Sequence, residues 1–155
     1  MRTSRAPIGP SLLTFTSATK PGGYAELSEI GRGIFSGNNS ISPALKIFFD
    51  KFEEAMIQIG RPIPKANTLR VRLIQAGFVD VDVVTIRHPL GPWSTDIRMK
   101  IIGNMVLAMS ETLYEAYGMA AFTRILGMDE ADAKTLCSEA LEASKCSSHR
   151  AYINL

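Results

Sequence analysis

Cysteine and histidine are scarce in this sequence, with two of each among 155 residues. Cys137 and Cys146 both fall in a stretch of helical pattern. More than two turns separate them there, so they cannot pair while the helix persists. His88 and His149 are far apart, neither CxxC nor HxxxH spacing occurs, and no metal site is expected. Free thiols fit a reducing compartment, so the expected location is cytoplasmic or nuclear. An excess of charge of either sign is lacking too. Seventeen Lys and Arg against fifteen Asp and Glu leave +2, which implies neither a nucleic-acid nor a membrane partner. The longest charge-free apolar stretch, Ile101 to Ser110, falls far short of the roughly 20 residues a spanning helix needs.

Acids are missing altogether before Glu26, where Arg2, Arg5 and Lys20 stand among serines and threonines. A mitochondrial presequence shares that composition, but Pro7, Gly9 and Pro10 break any amphipathic helix. The apolar run at residues 11–15 is too short for a secretory signal. Residues 1–19 are therefore expected to be a poorly ordered leader and residues 20–155 one domain. With 46% hydrophobic and 21% charged residues, that domain can bury a core without disulfides or metals.

The alternation of Tyr24 to Ile30, after the turn Lys20-Pro21-Gly22-Gly23, predicts a short strand. Gly31 to Ser40 reads as loop. Ser42 and Pro43 open a helix whose stripe is Leu45, Phe48, Phe49, Phe52, Met56 and Ile59, stopped by Gly60 and Pro62. A short helix over Leu69 to Ala76 ends at Gly77. Phe78 to Ile86 predicts a strand, and His88-Pro89-Leu90-Gly91-Pro92-Trp93 a rigid loop. A long helix opens at Ser94 or Thr95, with Ile97, Ile101, Met105, Met109, Leu113 and Tyr117 as its expected core stripe. Gly118 is placed to kink it and Gly127 to end it. Asp129 caps a last helix, and Ala151 to Leu155 looks like the start of a further strand. So few short strands leave unpaired edges, and the sheet reads as incomplete.

Three pieces carry a resemblance. Lys20-Pro21-Gly22-Gly23-Tyr24-Ala25-Glu26-Leu27 is similar to the turn and fifth strand of a Rossmann-like methyltransferase. Ile74-Gln75-Ala76-Gly77-Phe78-Val79-Asp80-Val81 is similar to the entry to its sixth strand. Pro89-Leu90-Gly91-Pro92-Trp93, then Leu126-Gly127, then His149-Arg150-Ala151-Tyr152, resembles fungal secondary-metabolism methyltransferases of the LaeA-like, TAM-domain kind. The resemblance implies an α/β, helix-rich chain forming the C-terminal half of a class I methyltransferase fold. It also implies S-adenosylmethionine as the cofactor of the complete fold and a small-molecule substrate. The family's glycine-rich loop and strand-end acid lie upstream of the matching region. No cofactor-binding residue is assigned here, and the chain alone is expected to bind none. Residues 1–19 depart from the family, where even the leucine before Lys-Pro-Gly-Gly is replaced by Thr19.

Four residues are candidates for the site. Glu26 and His88 are placed to act as base toward a substrate hydroxyl, and Tyr24 and Trp93 to contact substrate. An exposed acid, a surface histidine and a packing tryptophan are the plainer readings of the same residues. Gly31-Arg32-Gly33-Ile34-Phe35-Ser36-Gly37 has the context of a nucleotide loop, but its spacing is one residue too long. The methionines of the long helix read as core filler, though so apolar a helix can also cover an oily substrate or a partner. Two functions follow: a truncated methyltransferase of secondary metabolism, or an inactive remnant that at most binds a protein partner or itself.

Overall fold

The computed structural model describes residues 18–31 and 33–155, so the expected leader falls almost wholly outside the described residues. In chain order the elements are β1 (Phe35–Ser36), α1 (Pro43–Gln58), α2 (Ala66–Gln75), β2 (Arg87–Pro89), α3 (Ile97–Leu113), α4 (Glu130–Lys145) and β3 (Ala151–Asn154). Two compact units result. Residues 64–84 group with 18–29, and residues 30–63 with 85–155.

The first unit is α2 and its flanking segments. Gly77 closes α2 with paired reverse bonds, Gly77 N–H to Ile74 O and Phe78 N–H to Leu73 O (3.0 and 3.1 Å), the pattern that a left-handed residue after a helix permits. Arg70 Nε donates to the Val81 carbonyl (3.3 Å), and Gly23 N–H to Lys20 O closes the expected turn. No residue of α2 is buried.

The second unit holds a three-stranded antiparallel sheet ordered β1-β3-β2. β3, expected from its sequence, lies in the middle. Its Tyr152 ring stacks on Phe35 with centroids 5.6 Å apart, and the Arg87 guanidinium sits 5.0 Å from the same ring. The ladder extends beyond the strands, since Ile86 and Leu155 exchange backbone hydrogen bonds (2.9 and 2.8 Å). The other strand expectations need correction. Residues 24–30 form no strand, and of residues 78–86 only Ile86 reaches the ladder. Alternation says which face a strand would present, not whether a neighbour lies alongside it. Tyr24 is accordingly 99% exposed and Val79 82%. The segments read as loops, 31–40 and 88–93, supply β1 and most of β2 instead.

The helices fall close to their predicted places. Ser42 and Pro43 open α1 as expected, although the Ser42 side chain makes no capping bond. Gly60 and Arg61 close it with the same reverse pair seen at Gly77. Asp96, rather than Ser94 or Thr95, caps α3, its carboxylate accepting from the N–H groups of Arg98 and Met99 (2.8 and 3.0 Å). Beyond Leu113 the same helix widens into two π-type segments, Tyr114–Gly118 and Ala120–Ile125. The expected kink at Gly118 is thus a change of pitch. Asp129 caps α4 through the Ala131 N–H (2.8 Å).

The core lies where α1, the π segments and α4 meet. Phe48 is its hub, packing edge-on to Tyr114 and Phe122 with centroids 4.6 and 5.1 Å apart. Around it lie Leu45, Ala55, Ala121, Ala133, Leu136, Cys137 and Ala140. Gly118 is where α1 and α4 close on the helix, since a Cβ there would meet Cys137 Sγ at 2.7 Å and Phe48 Cε2 at 2.8 Å. Both cysteines are free, Cys137 buried and Cys146 exposed. Burial pushes the Cys137 thiol up to about 11, with the nearby Glu115 charge adding to the effect.

The stripe of α3 is the largest correction. Ile97, Ile101, Met105 and Met109 are 54–68% exposed, and Leu113 and Tyr117 are exposed with them. The inward face carries Gly103, Val106, Ser110 and Tyr114 instead. The apolar side faces out because the inner side sits too close to its neighbours for bulky residues, as the next subsection details.

Phe48→Ala should lower unfolding stability by about 3–5 kcal/mol, the usual cost of emptying an aromatic site in a packed core. Urea unfolding followed by the fluorescence of Trp93, the sole tryptophan, measures it. A loss under 1 kcal/mol would show that Phe48 is not the hub of this core.

Candidate functional site

The loop after β2 is built on one carbonyl. Ala151 O accepts the Leu90 backbone N–H and the Trp93 indole N–H, each at 2.8 Å. Both lone pairs of a strand-end oxygen are thereby used, and the loop is held to the central strand from two sides. Leu90 between them is 4% exposed. Gly91 has φ +102, a region side chains avoid, and a Cβ on it would reach Ser144 O at 3.0 Å. The tightest approach is on the other side of Gly91. A Cβ on Gly103 of α3 would collide with Gly91 O and come within 2.7 Å of its carbonyl carbon. Helix and loop touch backbone to backbone.

A buried polar pair supports this layer. Ser144 Oγ donates to Ala140 O (2.9 Å), so the Tyr114 hydroxyl, 2.8 Å away, is the donor to Ser144. Burial pushes the Tyr114 phenol up to about 12, partly offset by its hydrogen bonds to Ser144 and Ser110. It stays neutral and donating throughout the physiological range.

His88 and Trp93 stand at the two ends of this loop, both half-buried. His88 lies on β2 opposite Ile153. Tyr24 and Glu26 belong to the other unit, both exposed and outside any strand. The four candidates therefore divide two and two between the units.

Two amides of the glycine segment at 31–37 are engaged by the strand pairing. Gly31 N–H donates to Asn154 O (2.7 Å) and Gly37 N–H to Arg150 O (3.2 Å), while Phe35–Ser36 pairs with β3. These amides serve the sheet edge. Among the described residues no three or more His, Cys, Asp and Glu side chains group around a metal position, and no helix is long and apolar enough to cross a membrane.

Sequence reasoning passed over one polar cluster. His149 Nδ1 lies 2.9 Å from Ser40 O, Ser36 Oγ donates to His149 O (2.7 Å), and Asn38 Nδ2 donates to Ser148 O (2.9 Å). This cluster pins the turn before β3 to the loop after β1. Next to it, Cys146 Sγ is 3.0 Å from Ser148 Oγ, and that hydrogen bond lowers the exposed thiol's pKa. No motif announces such pairings, because the partners that join the two turns are 109, 110 and 113 positions apart in the chain.

Two substitutions separate the contacts of this loop. Gly103→Ala improves helix propensity by about 1 kcal/mol. It also drives a methyl into a carbonyl that cannot rotate away, and overpacking of that kind costs about 1–3 kcal/mol or more. A net loss of stability is expected, where the exposed neighbour Asn104→Ala should be neutral or slightly stabilising. Trp93→Phe should cost only about 0.5–1.5 kcal/mol, since Ala151 O keeps its bond from Leu90. Denaturation midpoints by circular dichroism check all three, and a stabilised Gly103→Ala would refute the close contact.

Several fungal proteins are similar to this chain. No family model matches it, and no solved structure is significantly similar. Methyltransferase cpsF of Aspergillus campestris is 27% identical over 135 residues, covering 85% of this chain and 48% of cpsF. Probable methyltransferase tdiE of Emericella nidulans is 28% identical over 134 residues, 83% of this chain and 41% of tdiE. Secondary metabolism regulator laeA of Aspergillus flavus is 31% identical over 98 residues, 62% of this chain and 26% of laeA. The chain spans about half or less of the length of the relatives it matches. It is a distant homologue of these fungal methyltransferases over that part of their length.

Proposed function

We propose that these residues form the substrate side of an S-adenosylmethionine-dependent methyltransferase of fungal secondary metabolism. The similarity that covers 85% of the chain but under half of cpsF carries the reading. The sheet supports it: the expected last strand lies between segments that follow the expected fifth and end the expected sixth, as a C-terminal part of a Rossmann-like sheet would require. In that setting S-adenosylmethionine supplies the methyl group from a site these residues do not build. The chain's own residues bind and orient the small-molecule substrate. Trp93 covers it, and His88, in the same unit, accepts the proton of its hydroxyl. Positioning in a dry pocket is most of what such a transfer asks of a protein.

A second reading, an inactive protein that acts only by binding, is favoured by the exposed apolar face of α3. The two are separated by the same pair of measurements. The 155-residue chain should give no saturable heat with S-adenosylmethionine in calorimetry. Fusing the part of cpsF that precedes its matching region ahead of Lys20 should restore cofactor binding and methyl transfer to the cpsF substrate. In the fusion, Trp93→Ala should lower turnover more than cofactor affinity. Saturable binding by the chain alone would place a cofactor site within these residues and overturn the division of labour. A fusion that binds cofactor without transferring methyl would favour the binding-only reading.

A further inference from the structure

Gly91 rests on three supports, each from a different element. On the β3 side its neighbours Leu90 and Trp93 both donate to Ala151 O, at 2.8 Å each. On the α3 side Gly103 meets its carbonyl. On the α4 side a Cβ added to Gly91 would stand 3.0 Å from Ser144 O. That oxygen is one of the last carbonyls of α4, which a helix leaves without partners of its own. The place of the loop, with His88 and Trp93 at its ends, is therefore set by the spacing of α3 and α4 as much as by the sheet.

One side-chain bond acts on that spacing. Gly103, Ser110 and Tyr114 follow one line of the helix, since their separations are about two and three whole turns. Gly103 on that line touches the loop, and Tyr114 reaches across to Ser144 Oγ (2.8 Å) at the end of α4. The helix that presses on Gly91 thus also holds the residue against which Gly91 rests. Ring and hydroxyl of Tyr114 have separable duties. The ring packs edge-on to Phe48 with centroids 4.6 Å apart, and a phenylalanine ring would pack there as well. The hydroxyl is costly to desolvate and adds little net stability once paired. What a paired, buried hydroxyl adds is one preferred arrangement of the groups it joins. Ser144 is 1% exposed and has given its own proton to Ala140 O, so it accepts from Tyr114 in one direction only. The change to π pitch begins at Tyr114 itself, and such widened turns recur at functional sites.

We infer that Tyr114 is a positioning residue: its hydroxyl, by tying the α3 line to Ser144, sets where the 88–93 loop holds Trp93 and His88. The consequence for turnover rests on the substrate-side reading, whereas the placement of the loop stands on these contacts alone.

Tyr114→Phe keeps the ring and removes only the hydroxyl, and Ser144→Ala removes its acceptor. In the 155-residue chain each should raise acrylamide quenching of Trp93, the sole tryptophan, about twofold, as a loosened loop exposes the indole. The double variant should quench no more than either single one, because both delete the same bond. Thr135→Gly, exposed on α4, weakens the helix without touching that bond and should leave quenching unchanged. In the fusion with the front part of cpsF, Tyr114→Phe should lower kcat roughly tenfold through misplacement of the loop, with the Kd for S-adenosylmethionine unchanged. Thr135→Gly should keep full turnover there. Quenching that stays flat in Tyr114→Phe, or rises as much in Thr135→Gly, would make the hydroxyl a matter of stability alone and overturn the inference. An unchanged kcat for Tyr114→Phe in an active fusion would overturn it too. A fusion that transfers methyl in no variant would sink the substrate-side reading instead, and Trp93 quenching would still decide whether Tyr114 places the loop.

Discussion

Between the Cα of Gly103 and the carbonyl of Gly91 there is no room for a methyl group, and much of the second unit is arranged around that contact. A helix that touches a loop backbone to backbone must turn small residues toward it. Gly103 and Ser110 occupy the inner line of α3, and Gly118 continues the accommodation where α1 and α4 press on the π segment. The loop in turn must be stiff to be worth approaching. Gly91 holds a conformation that other residues avoid, and Leu90 and Trp93 both hang on the Ala151 carbonyl. Tyr114 and Ser144 close the layer with a neutral hydrogen bond sealed from water.

The helices were legible because their signals are local. Ser42-Pro43, Gly60, Gly77 and Asp129 act on the turn they belong to and bound their helices, Ser42 without a side-chain capping bond. The strands were not legible except for β3. Tyr24 to Ile30 alternates well and forms no ladder, while Phe35–Ser36 has little pattern and pairs with β3. What decides is the presence of a neighbour brought from far along the chain, which alternation cannot express. The α3 stripe was legible as a stripe and misassigned as core. Hydrophobic period locates an apolar face, but whether it is covered depends on the clearance on the opposite side. A glycine amid so apolar a run, Gly103, was the signal that the inner face was the smaller one.

The candidate site was legible in part for the same reasons. His88 and Trp93 were chosen for their loop, and the loop is indeed a built feature with both ends half-buried. Its anchoring oxygen belongs to a residue 58 positions later, beyond the reach of any motif. Tyr24 and Glu26 were chosen from a strand that does not form, and they lie in the other unit. The similarity to cpsF, tdiE and laeA takes in residues of both units, so the likeness is not a property of the loop alone.

The place of β3 in the sheet bears on how the fold is assembled in time. Its two neighbours do not touch each other, and each bonds within the sheet only to β3, which is translated after both. Until residue 151 and its successors emerge from the ribosome, β1 and β2 are loose ends with nothing to pair with. The helical core around Phe48 waits almost as long, because α1 packs on α4 and the core itself takes in Leu90 and Ala151. A nascent chain short of these residues therefore carries two unsatisfied strand edges, an open invitation to chaperones and to neighbouring chains. The sheet is a clasp that only β3 can fasten.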